Sequence, residues 1–406
     1  MPHLHTASIV ACVGVGSRYE GPSERGISHL LEHMVFRGSA AHPSTYELNR
    51  EIEALGGTLD AGTAADHTAY SISLPPVHVP RCLELLAGML GAPVLGGIEI
   101  ERRVIREELL ETLDEDDQEI DADDLVRAAL LGDHALAQSI LGTLQSLDSI
   151  DEAAVRAWHA RHYVGQNLSV AIAGAIEAEG TLEACTRSFS ALPAGERSRP
   201  RAFETYERGP RFGYVDSSGS QAEVRIAVPA VPEGHPLRAA SELVGRVLDD
   251  GLSTRLFQRV VEQEGLAYEV FATQEAFLDA GLFIMGAAVE PAKTPQMLRV
   301  LLELLSGLRE GPTHDELERA RARSLYDLEA CLDGPEALAA LYAENALFGL
   351  DLGLGQLARD AREVSLEDAR EVARMLSSGE HLQAITVGTL ERATERDARA
   401  LISQFR

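Results

Sequence analysis

The sequence predicts an α+β protein of two similar domains, each a mainly antiparallel sheet with helices packed on one face. Three observations predict this: the length of 406 residues, the alternation of strand-like and helical apolar runs, and the recurrence of one element order in both halves. A chain this long exceeds one ordinary core, and 45% hydrophobic with 25% charged residues is typical of a globular protein. We therefore expect two hydrophobic cores.

The first half begins with a β-like apolar run over residues 7–15, followed by a helix around His29. A strand at 68–74 and amphipathic helices at 79–90 and 98–112 complete it. Strands that alternate with helices but also lie next to each other as hairpins favour an α+β layer over a doubly wound sheet.

The second half repeats this order about 215 residues later, which indicates a duplicated unit. A stretch rich in Pro, Arg, Ser and Gly separates the two copies. We predict a first domain over 1–195, a linker over 196–220 and a homologous second domain over 221–406. The matching elements of the second copy are strands at 222–228, 271–277 and 281–287 and helices at 239–248, 294–308 and 313–330.

Charge and composition limit the partners and the compartment. The chain has 64 acidic and 36 basic residues, a formal net charge of −28, which predicts repulsion of nucleic-acid phosphates and attraction of basic peptides. The sequence has no apolar run of the length of a membrane span and no basic signal-peptide start. The widely spaced Cys12, Cys82, Cys185 and Cys331 are predicted to be core thiols. We expect a cytoplasmic protein without nucleic-acid or membrane partners.

The segment GISHLLEHMVFRG contains the first candidate for chemistry. It places His29, Glu32 and His33 on one helical face, because they are three and four residues apart. Two imidazoles one turn apart can bind a single Zn²⁺, and the glutamate between them can reach a water on the metal. Alone the pattern is a weak signal, and a zinc site needs a third protein ligand.

The helix ERRVIREELLE supplies that third ligand. One face of this helix carries Glu101, Val104, Ile105 and Glu108. A carboxylate on an apolar, core-facing stripe is costly unless it is paired or bound to a metal. We therefore predict Glu108 as the ligand, whereas Glu107 falls on the more polar side.

These residues resemble the inverzincins, the zinc peptidases of the insulinase and pitrilysin type that include the mitochondrial processing peptidases. In that family the third ligand ends a Glu-x6-Glu stretch, which Glu101 and Glu108 match. The resemblance implies a zinc metalloendopeptidase with Zn²⁺ on His29, His33 and Glu108. It further implies that Glu32 is the general base and that Glu101 supports the site.

The resemblance covers most of the chain. GGTLDAGTAADHTAYSISL resembles the family's substrate-side strand, SILGTLQSLDSI its middle signature, and RHYVGQNLSVAIAG the strand that closes the first domain. LSTRLFQRVVEQEGLAYEVFA resembles the C-terminal substrate-binding signature. These matches imply that Asp60, Ala61 and Tyr268 contact a substrate peptide.

Three positions depart from the family pattern. The family usually has a leading strand before the equivalent of Ala7, where this chain has six residues, so the first sheet is expected to lack an edge strand or the start to be truncated. Asp60 and Ala61 stand where Asn-Ala is usual. Val261 replaces the arginine that normally pairs with the tyrosine at Tyr268, which leaves half of the substrate clamp missing.

The sequence leaves alternatives to peptide hydrolysis open. Relatives that have lost activity but kept the fold suggest a non-catalytic partner or scaffold subunit, and a metal-binding regulatory module is a third possibility. The second copy has no histidine in its corresponding helix at 239–248, so no zinc is expected there. The two halves resemble two of the four domains that enclose a peptide in this family. We therefore expect a homodimer, or alternatively a heterodimer with a related subunit.

Overall fold

The computed structural model describes residues 1–405 and confirms the α+β class. Among these residues, two sheets contain all the named strands, and antiparallel pairing dominates both. The strands are β1 (Ala7–Val13), β2 (Thr58–Thr63), β3 (Thr68–Leu74), β4 (Leu168–Gly174), β5 (Arg211–Val215), β6 (Ala222–Pro229), β7 (Val270–Ala276), β8 (Gly281–Val289) and β9 (Gln383–Val387).

Helices occupy most of the remaining chain. The strands and helices named from the sequence are all present, with ends that shift by at most a few residues. The helices are α1 (Ile27–Val35), α2 (Thr45–Ala54), α3 (Val79–Gly91), α4 (Ile98–Glu111), α5 (Ala122–Leu131), α6 (Leu144–Ser149), α7 (Glu152–His162), α8 (Ala178–Phe189), α9 (Arg238–Leu248), α10 (Arg255–Phe257, continued as a π-helix over Gln258–Gln263), α11 (Thr294–Gly307), α12 (His314–Ala330), α13 (Pro335–Phe348), α14 (Leu354–Glu363), α15 (Leu366–Leu376) and α16 (Arg392–Gln404).

The chain divides into two compact units that are not continuous in sequence. Unit 1 comprises Met1–Leu109, Gln138–Arg201 and Leu328–Leu354, and unit 2 comprises the remainder. One change of unit, at Arg201–Ala202, falls inside the linker predicted at 196–220. Each unit also contains one short segment from the other half of the sequence. Helix α5 of the first half belongs to unit 2, and helix α13 of the second half belongs to unit 1.

Unit 1 is built on a four-stranded antiparallel sheet of order β2-β3-β1-β4. Because side chains alternate across a strand, Ile9 and Ala11 of β1 face a core that also contains buried residues of α1 and α3. On the opposite face, Val10 packs with Ala343 and Leu347 of α13. The exchanged helix therefore covers the sheet face that the unit's own helices leave free, which the sequence did not predict.

Unit 2 contains a five-stranded sheet of order β5-β9-β6-β8-β7. All its pairs are antiparallel except β5 with β9. Ile226 of β6 joins the core formed with α9 and α11, and Arg225 on the opposite face pairs with Asp123 of the exchanged helix α5 at 2.7 Å. The extra strand β5 has no counterpart among the described strands of unit 1, where β4 lies at the sheet edge. Within residues 1–405, no helix is both long and apolar enough to cross a membrane.

Candidate metal centre

Helix α1 holds the His-x-x-Glu-His residues against the sheet of unit 1. Its apolar side chains Leu30, Leu31 and Met34 are fully buried in the unit's core, which fixes the rotation of the helix about its axis. With these residues anchored, His29 and His33 point towards α4, and their rings lie edge to face with centroids 4.6 Å apart.

Helix α4 brings Glu108 to both histidines. Ile105 and Leu109 bury one side of α4 in the same core. The Oε2 atom of Glu108 lies 3.6 Å from Nε2 of His29, and its Oε1 atom lies 3.7 Å from Nε2 of His33. Among the described residues, this triad is the one group of three potential ligands whose ligand atoms all lie within 4.8 Å of one another.

The donor set of this triad fits Zn²⁺. Two imidazole nitrogens and one carboxylate oxygen are the ligands of catalytic zinc sites, and tetrahedral ligands at about 2.0–2.2 Å from the metal lie roughly 3.3–3.6 Å apart. The two Glu108 oxygens contact the histidines at 3.6 and 3.7 Å, close to that range, and one ligand atom from each of the three residues lies within 4.8 Å of the other two. Burial, with a smaller effect of His33, lowers the pKa of His29 to about 4, so this imidazole is neutral, as a metal ligand must be.

Glu32 lies beside the triad and lines the same cavity as His33. It is buried, and its Oε2 accepts a hydrogen bond of 2.9 Å from Oγ1 of Thr63 on β2. Burial raises the pKa of Glu32 above its ordinary value, and the hydrogen bond from Thr63 opposes this shift. Its Oε1 atom has no hydrogen-bond partner among the described residues, so one oxygen is held and the other is available to a proton.

Glu101 supports His33 rather than joining the triad. Its Oε2 lies 3.5 Å from Nδ1 of His33, and its Oε1 accepts a hydrogen bond of 2.7 Å from Nη1 of Arg37. Arg37 is itself held by a hydrogen bond from its Nε to the carbonyl of Gly96. A carboxylate behind a histidine fixes the ring orientation of a metal ligand, so Arg37 and Glu101 form an orienting pair. A cavity of about 230 Å³ lies in front of Glu32, His33 and Glu101.

The face of α4 that carries Glu108 is less buried than the sequence predicts. Val104 is 44% exposed and the Glu108 side chain is 40% exposed. Of that face Ile105 is fully buried, and it makes the core contact together with Leu109. Glu108 thus lies at the border of the buried face, where it can reach α1 without being buried.

Asp60 and Ala61, the residues of unit 1 predicted to contact a substrate peptide, lie on an edge strand. Asp60 and Ala61 belong to β2, which pairs with β3 and with no other described strand. The Oδ1 atom of Asp60 accepts a hydrogen bond from the backbone N–H of Ala61. Thr63, three residues further along β2, contacts Glu32, so this edge and the metal centre are part of one surface of unit 1.

Tyr268 and Val261 both belong to unit 2. Tyr268 is 91% exposed in the loop before β7, and Val261 lies in the π-helical segment that continues α10. Their part in a substrate clamp stays a prediction.

Three residues that contact the candidate site or its helix were not indicated by the sequence. These are Arg37, Thr63 and Glu20, and each contacts a residue distant in sequence or the backbone at the start of α1. No local pattern marks such contacts. For Glu20, the one available signal was an acidic residue shortly before the motif helix.

The fold and this cluster together define a two-unit protein with a candidate inverted-motif metal centre. Comparison with known proteins finds relatives of the same kind. The description "Insulinase (Peptidase family M16)" matches residues 2–144, and "Peptidase M16 inactive domain" matches residues 149–324. An uncharacterized zinc protease of Mycobacterium tuberculosis is 31% identical over 392 residues, covering 95% of this chain and 89% of the relative. One from Bacillus subtilis is 26% identical, covering 95% and 93%. The chain therefore belongs to the insulinase family, peptidase family M16.

Solved structures show the same fold. A protease from Helicobacter pylori superposes with a TM-score of 0.86 at 21% identity, covering 95% of this chain and 94% of that one. A peptidase M16 inactive domain from Pseudomonas fluorescens superposes with a TM-score of 0.85, also at 21% identity, over 96% and 94%. The two-domain M16 architecture predicted from the sequence is thus confirmed.

Proposed function

We propose that this chain is a zinc metalloendopeptidase that hydrolyses peptide bonds at the centre formed by His29, His33, Glu108 and Glu32. The observation that carries the proposal is the convergence of His29, His33 and Glu108, whose ligand atoms all lie within 4.8 Å of one another, with the buried carboxylate of Glu32 beside them. Family membership and the names of the relatives support it. A bound Zn²⁺ would supply Lewis acidity and lower the pKa of a water in its open position.

The protein's own residues would transfer the proton and orient the ligands. Glu32, held through one oxygen by Thr63, can accept a proton on its second oxygen and later return it to the leaving amine. Glu101 and Arg37 keep the His33 ring in one orientation, because both contacts to Glu101 restrict its carboxylate. The centre therefore holds its base and its ligands in place before substrate arrives.

The substrate we propose is an extended peptide that adds as a strand to the free edge of β2. Backbone hydrogen bonds to such an edge give affinity with little dependence on side chains. Asp60 and Ala61 lie on this strand, and Thr63 of the same strand holds Glu32. A peptide at this edge would therefore run past the base, and the net charge of −28 favours basic peptides.

Metal content and the Glu32→Gln variant test the proposal. We expect about one zinc per chain after reconstitution, and Glu32→Gln should retain the metal while losing peptidase activity on a peptide library, because an amide cannot accept the proton. Less than about 0.2 zinc per chain in the wild type would refute the centre. Bound zinc without turnover of any peptide would instead favour the non-catalytic subunit or the regulatory module.

We also propose that the working form is a dimer. The family relatives that enclose a peptide use four such domains, and the described chain contains two units. A homodimer retains Tyr268 and the metal centre in each copy, whereas a partner chain could supply the arginine that Val261 replaces. Light scattering of the active protein distinguishes these: a dimer mass with activity supports self-association, an inactive monomer revived by a second subunit supports the heterodimer, and a fully active monomer contradicts both.

A further inference from the structure

Glu20 is a buried carboxylate at the start of the helix that carries the histidines. It is 6% exposed, and it precedes α1 in the loop that leads into the helix. Its Oε2 accepts a hydrogen bond of 2.7 Å from the backbone N–H of Gly26, and its Oε1 accepts one of 2.9 Å from the N–H of Ser28. Among the described residues, no basic side chain pairs with it.

These two bonds fix the first turn of α1. The first N–H groups of a helix have no partner within it, and Glu20 satisfies that of Ser28, the residue next to His29. Gly26 has a positive φ of 84°, and a Cβ there would lie 2.6 Å from the carbonyl oxygen of Leu141. The turn is therefore confined between Glu20 on one side and the backbone around Leu141 on the other.

The burial of this carboxylate is costly for a helix cap. Burial raises the pKa of Glu20 above its ordinary value, and the N–H groups of Gly26 and Ser28, which donate to both oxygens of the ionised form, oppose this shift. A serine at the cap position would satisfy the same helix end without a buried charge. The described N-cap of α1 is instead Gly26, which offers no side chain.

We propose that Glu20 is a positioning residue of the metal centre, which sets the backbone of the first turn of α1 and thereby the direction of His29. The inference rests on the proposed zinc site. His29 depends on this support more than His33, because its Nδ1 is buried and has no hydrogen-bond partner among the described residues. His33, by contrast, has Glu101 at its Nδ1. No described side chain orients the His29 ring through a hydrogen bond, so its direction depends on the backbone of the first turn.

Glu20→Gln tests this role. The amide keeps one acceptor oxygen but turns an NH₂ group towards the second N–H, so the first turn should shift. We expect the zinc dissociation constant to rise about tenfold or more. With Co²⁺ in place of zinc, we expect an altered visible absorption spectrum, because that spectrum reports the ligand geometry.

Glu24→Gln is the matched control. Glu24 lies in the same loop and also accepts a backbone N–H, but that of Gly21 rather than of α1. The control should keep the wild-type metal affinity and Co²⁺ spectrum. A residue that only stabilises the fold would lower the unfolding midpoint of the metal-free protein and leave both metal measurements unchanged at a temperature where the variant is folded.

The wild type is measured first, so that the two proposals can fail separately. If the wild type binds neither zinc nor Co²⁺, the proposed function is wrong. If the wild type binds both and folded Glu20→Gln binds them with the same affinity and spectrum, the role of Glu20 is wrong. Should Glu20→Gln not fold, Glu20→Asp, which keeps the charge but is too short to reach both N–H groups, is judged by the same two criteria.

Discussion

Helices α1 and α4 of unit 1 and helices α9 and α12 of unit 2 hold corresponding places in the two repeats but carry opposite kinds of side chain. A glycine with positive φ follows the first helix in both units, Gly38 at 124° and Gly251 at 118°. Aligned on these glycines, His29 corresponds to Glu242 and His33 to Arg246. The two histidines of the candidate metal centre therefore correspond to Glu242 and Arg246, which form an ion pair in unit 2.

The second helices correspond as well. Ile105 and Leu109, the buried residues of α4, align with the buried Ala320 and Ser324 of α12. In this register Glu108, the third member of the candidate triad, corresponds to Arg323. Each helix pair also borders a cavity, of about 230 Å³ in unit 1 and about 270 Å³ in unit 2.

In unit 2, arginine side chains lie among the acidic residues at the positions that correspond to the candidate metal centre. Arg246 pairs with Glu242 at 3.0 Å, Asp250 at 2.8 Å and Asp327 at 2.7 Å. Arg323 pairs with Asp250 at 3.0 Å. Each acidic group of this cluster is thus paired with an arginine.

In the corresponding cluster of unit 1, neither Glu32 nor Glu108 is paired with an arginine among the described residues. Glu32 and Glu108 converge with two imidazoles, and Arg37 is directed to Glu101 rather than to the triad. A divalent cation would supply the missing positive charge. On the proposed function, the same pair of helices is therefore completed by a metal in unit 1 and by arginines in unit 2, according to the side chains at corresponding positions.

Glu108→Arg converts the unit 1 cluster towards that of unit 2 and should have the largest effect. The guanidinium removes one ligand and places a positive charge beside the site, so we expect loss of zinc and a fall in peptidase activity of at least about 1,000-fold. Metal analysis and a peptide digest measure both. Glu107→Gln on the exposed side of α4 is the control and should change little. Equal metal loss in the two variants would contradict the assignment of Glu108.

Arg246→Ala removes the arginine at the centre of the ion-pair cluster of unit 2. It should lower stability without changing the zinc content. Three carboxylates lose their shared partner, and because Arg246 is about one-fifth exposed we expect a loss of about 2–3 kcal/mol in the free energy of unfolding. Denaturant unfolding of the metal-free protein measures this. Arg187→Ala, at an exposed arginine without a described ion pair, is the control. Reduced zinc content in Arg246→Ala would show that the two clusters are not independent.

The sequence predicted the repeated elements well because their periodicity is local. The strand at 68–74 coincides with β3, whose residues alternate between buried and half-buried. The exchange of α5 and α13 between the units could not be predicted in the same way. Helical periodicity shows which face of a helix is buried but not which sheet buries it, and α13 has apolar residues on all sides.

The candidate site was predictable as far as its motif extends. His29, Glu32 and His33 follow from the spacing on one helix, and Glu108 followed from the matching helix although the expected burial was wrong. The contacts of Arg37 with Glu101 and of Thr63 with Glu32 depend on how separate elements pack. Such contacts become visible only in three dimensions.

Glu316→Gln changes a position at which the two units carry the same residue, and it should have the smallest effect of the three variants. Glu316 corresponds to Glu101, and each carboxylate pairs with an arginine, Arg255 in unit 2 and Arg37 in unit 1, both at 2.7 Å. Hydrogen bonding to Arg255, helped by the backbone N–H of Thr313 and opposed by burial, lowers the pKa of Glu316 to about 2. We expect the variant to lose about 1–2 kcal/mol of stability at pH 7 and to keep its zinc.

The pH dependence gives the sign of this effect. A carboxyl group whose folded-state pKa is lowered stabilises the protein above its unfolded-state pKa, here 4.5, and loses that contribution as the pH falls towards 2. Glutamine does not titrate, so the stability difference between wild type and Glu316→Gln should shrink between pH 6 and pH 3 in urea unfolding. Glu262→Gln, at an exposed glutamate of unit 2 without a described ion pair, should show no such difference at either pH. A constant difference for Glu316→Gln across this range would mean that the side chain acts through packing rather than through its charge.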